Sequence, residues 1–164
     1  MTKRLNTYAR SLIAAVLALH FGTSACAQTT DSAKDQLERN KKTVLVFYDL
    51  AANRSKPREA IEKYAGDTYI QHNPEVADGK ESFIAYFEKQ AKDYPTKRFE
   101  FRRVLAEGNF VVVHTWSIFP ELWRNKEWAG IDIFRLDERG KIVKHWDVLQ
   151  AVPARAANNN GMFY

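Results

Sequence analysis

The chain of 164 residues carries 25 Lys and Arg against 20 Asp and Glu, a formal charge of +5, and three of its cations (Lys3, Arg4 and Arg10) fall in the first ten residues. Without residues 1–27 the balance drops to +2, over a length that still suits one domain with a sizeable core, so the argument for a nucleic-acid partner loses its main support. Cys26 is the only cysteine, which excludes a disulfide framework and thiol chemistry in the remainder.

The first segment reads as an export signal. Lys3, Arg4 and Arg10 form a basic n-region, residues 12–21 a short apolar run, and Ala25-Cys26-Ala27 an A-x-A cleavage site. That apolar run is shorter than the about 20 residues a bilayer span needs. The mature chain is therefore expected to be periplasmic or secreted, with no membrane insertion once the signal (1–27) is removed. A lipid anchor on Cys26 is the weaker reading, because Thr23-Ser24-Ala25 lacks the leucine usual ahead of a lipidated cysteine. Residues 28–34 are polar and read as a linker, leaving 35–164 as the domain.

Helices precede strands in that domain, an order that argues for an α+β fold rather than alternating βαβ units. Over 35–53, apolar residues at Val44, Leu45, Tyr48, Ala51 and Ala52 keep helical spacing. Pro57 opens a second, shorter helix with Ile61 and Tyr64 on one side, since the N–H that proline lacks goes unbonded in a first turn anyway. The third helix starts after Asp78, with Glu81 three positions on as in a capping box, and buries Phe83, Ile84, Phe87 and Ala91. Pro95 stops it. Four strands follow over 98–106, 109–119, 128–136 and 141–150, with tight turns at Gly108 and Gly140 and a longer loop over 120–126.

Three helices packed on a strongly bent antiparallel sheet enclose a cup lined by alternate strand residues. With Asp147 pointing inward, Val143 and His145 go with it and Trp146 faces away. The neighbouring strands then contribute Trp128, Gly130, Asp132 and Phe134, matched by Val112, His114 and Trp116. Asp132 and Asp147 sit at matching heights among apolar side chains, the setting that brings carboxylates into the working range of an acid or base. Two acids in one pocket do not both ionise cheaply, so a shared proton is expected. The bland alternative pairs each acid with Arg98, Arg102, Arg103 or Arg135 at the surface, although alternation puts Arg135 on the face opposite Asp132.

Between the second and third helices lies Tyr69-Ile70-Gln71-His72-Asn73-Pro74, followed by Asp78-Gly79. His72 and Asn73 are placed to reach the mouth of the cup and orient a substrate; a purely structural turn is the competing reading. His114 and His145 raise the question of a metal, but the spacing requires none, with no H-x-x-x-H pair and scattered ligands. Neither metal nor cofactor is expected. The aromatics Tyr48, Tyr86, Trp116, Trp128 and Phe134 read mostly as core, with a subset lining a ligand cavity.

These segments together resemble the SnoaL-like polyketide cyclase family, within the nuclear transport factor 2-like superfamily, over residues 35–164. The likeness rests on the 69–74 segment with Asp78-Gly79, on Gly130-Ile131-Asp132-Ile133-Phe134-Arg135, and on Gly140-Lys141-Ile142-Val143-Lys144-His145-Trp146-Asp147-Val148. The run Asn159-Asn160-Gly161-Met162-Phe163 resembles the family's terminal segment. The resemblance implies a cone-shaped α+β barrel, usually a homodimer through its sheet, and an intramolecular aldol closure without metal or nucleotide. In the cyclases an aspartate of the last strand is the acid/base, and it falls on Asp147. A histidine of the cyclases falls where this chain has Asp132, a departure from the cyclase pattern. Superfamily members also isomerise, dehydrate or simply bind, so the fold does not fix the chemistry.

The expected function is acid/base proton transfer next to a carbonyl, as aldol cyclisation, isomerisation or dehydration of a small hydrophobic molecule. Asp147 would take the proton, Asp132 or His114 would support the developing oxyanion, and His72, Asn73, Trp116, Tyr48 and Phe134 would hold the substrate. The alternative is a non-catalytic exported protein that binds a small hydrophobic ligand in the same cup. A third reading makes the chain an interaction module that docks a partner on its sheet, with the cup filled by side chains.

Overall fold

The computed structural model describes residues 21–164, with side chains described from Ser32 onward. Residues 1–20 of the expected export signal lie outside the described residues, and so do the side chains of the rest of it, that of Cys26 with its lipid alternative included. Residues 36–164 form one compact unit, and the fold below is that unit together with the helix leading into it. Among the described residues, no helix is long and apolar enough to cross a membrane.

Helix α1 runs over Phe21–Tyr48, so the polar stretch 28–34, expected as a linker, is helical here. Its last turn widens into a π-turn over Asp49–Asn53, a device that shifts the following side chains round the helix axis. Val44, Phe47, Tyr48, Leu50, Ala51 and Ala52 are all buried by this arrangement. Helix α2 (Pro57–Tyr64) has its proline in the first turn and buries Ala60 and Ile61. Helix α3 (Lys80–Asp93) buries Phe83, Ile84 and Phe87 and ends two residues before Pro95.

The start of α3 departs from the expected capping box. Gly79 holds the capping position at φ +91°, with no side-chain cap. Asp78 instead accepts a hydrogen bond from the Gln71 backbone N–H at 2.8 Å, and Glu81 turns outward to Arg58 at 3.2 Å. Asp78 thus ties α3 to the strand before it rather than to its own first turn.

That strand is the element the sequence reading missed. β1 (Ala65–Gln71) runs parallel to β5 (Ile142–Ala151) at one edge of the sheet. Its signal is weak because only Gly66 and Tyr69 are buried and the pairing is irregular between Ala65 and Ile70. The other strands are β2 (Arg98–Glu107), β3 (Phe110–Ile118) and β4 (Glu127–Leu136). The order β1-β5-β4-β3-β2 makes an open, mixed five-stranded sheet, neither wholly antiparallel nor closed into a barrel.

Register decides which side chains meet. Asp132 lies opposite Asp147, and Gly130, Asp132, Phe134 and Leu136 all point inward as the alternation predicts. On β3 the expectation fails by one residue. Val113, not Val112, lies opposite Asp132, so Val111, Val113, Thr115 and Ser117 face inward. A shift of one position exchanges the two faces of a strand, and the long 119–126 loop leaves its parity unreadable from sequence.

The inner face divides along the strands. At one end Val111, Leu136 and Ile142 pack fully buried against Val44 and Phe47 of α1. Burying a side chain of that size is worth about 1.5–3 kcal/mol, so this end contributes substantially to the fold's stability. The other end, with Ser117, Trp128 and Asp147, lines a cavity. Asp132, Thr115 and His145 form a polar layer between the two.

Candidate functional site

Asp132 is fully buried and satisfied by three groups. The Tyr48 hydroxyl donates to its Oδ1 at 2.8 Å, the Thr115 hydroxyl donates to its Oδ2 at 2.8 Å, and His145 Nε2 stands 3.2 Å from Oδ1. A carboxylate in an apolar interior needs such partners. The π-turn after Tyr48 and the inward parity of Thr115 supply two of them. Burial first, and then the Asp132 charge, push the Tyr48 phenol well above its usual 10.0, so it remains a donor.

His145 stacks on Phe134, with ring centroids 4.6 Å apart, and both its nitrogens face oxygens. Nδ1 lies 3.0 Å from Gln71 Oε1, which also accepts the Asn73 backbone N–H at 3.0 Å. A backbone donor requires an oxygen there, so the Gln71 amide orientation is fixed and His145 Nδ1 donates to it. Nε2 faces a carboxylate. A neutral imidazole donates from one nitrogen only. With Nδ1 committed to Gln71, Nε2 is the nitrogen left to the Asp132 carboxylate.

Asp147 is half-buried at the cavity and accepts from Asn73 Nδ2 on both oxygens, at 2.8 and 2.9 Å. Asn73 Oδ1 accepts the Glu75 backbone N–H at 2.7 Å, which leaves Nδ2 as the only group that Asn73 can turn to the acid. Burial raises the Asp147 carboxyl above its usual range, against the Asn73 bonds and the nearby His145, which lower it. The result is a carboxylate aimed by its neighbours and easily reprotonated.

The cavity has a volume of about 530 Å³, within the range of small-molecule sites. Asp147, Trp128 and Ser117 line it from the sheet, Asn73 from the loop, and Tyr86 and Gln90 from α3.

Of the residues given a catalytic or substrate-binding role in the sequence, Asp147, Asn73 and Tyr48 line this cavity. Asp132 sits behind His145 rather than on the wall. His114 and Trp116 do not reach it: they lie on the outer face of the sheet, stacked on Phe163 at 5.7 and 4.6 Å. Arg103 donates to the Phe163 carbonyl at 3.3 Å and also meets His114 Nδ1 at 3.1 Å. Burial, then Arg103 and Arg102, lower the His114 pKa. His72 is likewise turned outward, flat against Trp146 at 4.5 Å. Phe134 is core beneath His145.

Two participants escaped the sequence reading, and a third, His145, was placed on the cup face with Asp147 but given no role beside it. Gln71 carried no signal while β1 went unseen, and Thr115 was hidden by the parity of β3. Of the arginines of the bland reading, Arg98 and Arg102 both pair with Glu100. One ligand atom each from Asp132, His145 and Asp147 falls within 4.8 Å of the others, the reach of a single cation. Each is already held by a protein hydrogen bond.

The family described as SnoaL-like domain matches residues 44–145. No curated protein matches the chain. Among solved structures, the chain is similar to TsrD from Streptomyces laurentii at 19% identity, with 67% of this chain and 87% of that one covered and a TM-score of 0.56. A proposed polyketide cyclase from Bacillus cereus aligns at 18% identity over 68% of this chain and 74% of its own, with a TM-score of 0.59. A proposed isomerase of the SnoaL-like family from Agrobacterium tumefaciens gives 19% identity, 68% and 97% coverage, and a TM-score of 0.55. At these identities the likeness shows the fold.

Proposed function

The chain belongs to the SnoaL-like domain family, and on that premise we propose that it is a small-molecule enzyme in which Asp147 moves a proton at a carbon next to a carbonyl. The observation that carries this reading is the half-buried Asp147, aimed into a cavity of about 530 Å³ by two bonds from Asn73. Proposed cyclase and isomerase neighbours of the same fold support the reaction class.

In the first step an Asp147 oxygen takes the α-proton. The C–H electron pair becomes a C=C bond, and the carbonyl π pair moves onto oxygen as an enolate. Collapse of the enolate then takes one of three courses: Asp147 returns the proton to the γ-carbon of a conjugated dienolate, the enolate carbon attacks a second carbonyl whose alkoxide takes the Asp147 proton, or a β-hydroxyl takes that proton and leaves as water. These are isomerisation, aldol closure and dehydration. A raised carboxyl pKa suits Asp147 to both halves of the cycle. His114 takes no part, since the outer face of the sheet separates it from the cavity. Asp132 acts only through His145, which it holds in place beside Asp147.

The test requires no knowledge of the natural substrate. Exchange of α-protons for deuterium in aromatic 1,3-diketones and cyclic ketones, followed by NMR in D₂O, should be catalysed by the wild-type chain. Asp147→Asn should lower the rate about 10²–10⁴-fold with an unchanged circular dichroism spectrum. Equal exchange by a folded Asp147→Asn variant would reject the base and leave a ligand-binding cup.

A further inference from the structure

Helix α3 presents one stripe to the cavity, Phe83, Tyr86, Phe87 and Gln90, at the i, i+3, i+4, i+7 spacing of a single helix face. Two members of that stripe are polar, and they are joined. Gln90 Nε2 donates to the Tyr86 phenol oxygen at 2.8 Å. The phenol oxygen thus already accepts, and among the described residues its own proton has no acceptor. Two other donors of the wall are engaged. Tyr48 gives its proton to Asp132, and Asn73 Nδ2 gives to Asp147.

We propose that Tyr86 is a catalytic residue of the reaction set out above: from the α3 side of the cavity its hydroxyl donates to the substrate's carbonyl oxygen while Asp147, on the sheet side, removes the α-proton. The inference rests on that reading of Asp147. Charge leaves the C–H bond at one wall and accumulates on oxygen at the other, where Tyr86 lines the cavity. No proton passes to or from Tyr86, and its O–H bond stays intact. The hydrogen bond shortens as the oxyanion forms, which is the differential interaction that lowers a barrier.

Gln90 acts as the positioning residue. By occupying the phenol's acceptor site it turns the proton away from the helix and into the cavity. Its own Oε1 is buried without a partner, so its amide is not held by any second contact in this orientation. Burial raises the Tyr86 phenol, and the Asp147 charge adds to that, which keeps the group a donor at neutral pH. The ligand class follows: a molecule with a carbonyl or phenolic oxygen on one side and an acidic C–H on the other, wide enough to touch both walls.

The probe is 2-naphthol, whose phenolate imitates an enolate, titrated into the full chain by its own fluorescence. Wild type should bind it and favour the ionised form. Tyr86→Phe should weaken binding about tenfold and lower diketone α-proton exchange about 10²-fold, the usual loss on removing one oxyanion donor. Gln90→Glu should reproduce the loss with the phenol intact, because a carboxylate there takes the Tyr86 proton for itself; this variant serves if Tyr86→Phe does not fold. Equal naphthol affinity and ionisation in both variants, or no binding by wild type, would overturn the assignment. Asp147 is judged separately, by exchange in Asp147→Asn, which should still bind naphthol. Loss of one assignment is therefore readable without loss of the other.

Discussion

Asp147 is held in a state that opposes folding at neutral pH. Its folded pKa lies above its unfolded value, so the stability it contributes is full below the unfolded value and is lost as pH rises through the folded one. Above that window the ionised carboxylate is partly desolvated and its bonds from Asn73 do not fully compensate. Asp147→Asn should therefore melt at a higher temperature than wild type at pH 8. The difference should vanish below pH 3.8, the ordinary value for an aspartate, where both forms are neutral. Thermal melts across that range, read by circular dichroism, check the sign. The gain is small, because the side chain keeps substantial contact with water.

Single residues were unevenly legible in the sequence. Asp147 could be found because an acid on an apolar strand needs an explanation, and Asn73 because a turn asparagine beside a predicted cup has few places to go. His72, next to it, has the same local signal, yet it stacks on Trp146 on the far face. Adjacent residues on an extended chain point opposite ways, so a motif of two neighbours names two faces and only one cavity.

The central strands show what a missing side chain does. Gly130 faces inward opposite Thr115, and a Cβ there would press on the Thr115 hydroxyl and come within 2.9 Å of Leu149 Cδ2. The glycine gives Thr115 room to donate to Asp132. Gly130→Ala should destabilise the fold by about 1–3 kcal/mol through overpacking, measured by urea denaturation. It should also lower α-proton exchange, since His145 loses its firm support. A neutral result in both measurements would show that the strand pair yields easily at this point.

Element boundaries came through well where glycine or proline marks them. Gly108 and Gly140 take positive φ, at +54° and +73°, in the two tight turns, and Pro57 and Pro95 bracket helix starts and stops as expected. β1 was invisible for a physical reason. An edge strand with two buried residues has no period to detect, and its partner β5 is far along the chain. The parity of β3 failed for another. Alternation gives the two faces of a strand but not which one meets its neighbour, and a loop of irregular shape sets that.

At the scale of the molecule, the outer face of the sheet exposes several large apolar side chains. Leu105 is 67% exposed, Val148 75%, Ile131 44% and Phe110 41%, and Trp146 lies among them. Exposed apolar area of this kind on one surface marks an interaction site. We propose that two copies pair through it, as the sequence resemblance implies. The C-terminal segment covers the neighbouring part of that face, with Phe163 buried over Trp116 and Arg102 set 5.2 Å from the Tyr164 ring. Sedimentation equilibrium should give a dimer for the wild-type domain and a monomer for Leu105→Lys/Ile131→Lys. A monomer from both would leave the face without this role.

The division of the inner sheet face into a dry end and a hollow end bears on how such a chain diversifies. On the central strands, the fully buried Val111 and Leu136 and the guest-facing Ser117 and Trp128 sit several residues apart, with a polar seam between them. Drift at the rim can retune what is accepted without eroding the foundation, and repairs to the foundation need not disturb the rim. A scaffold partitioned in this way tolerates experiment at one pole for as long as the seam is kept.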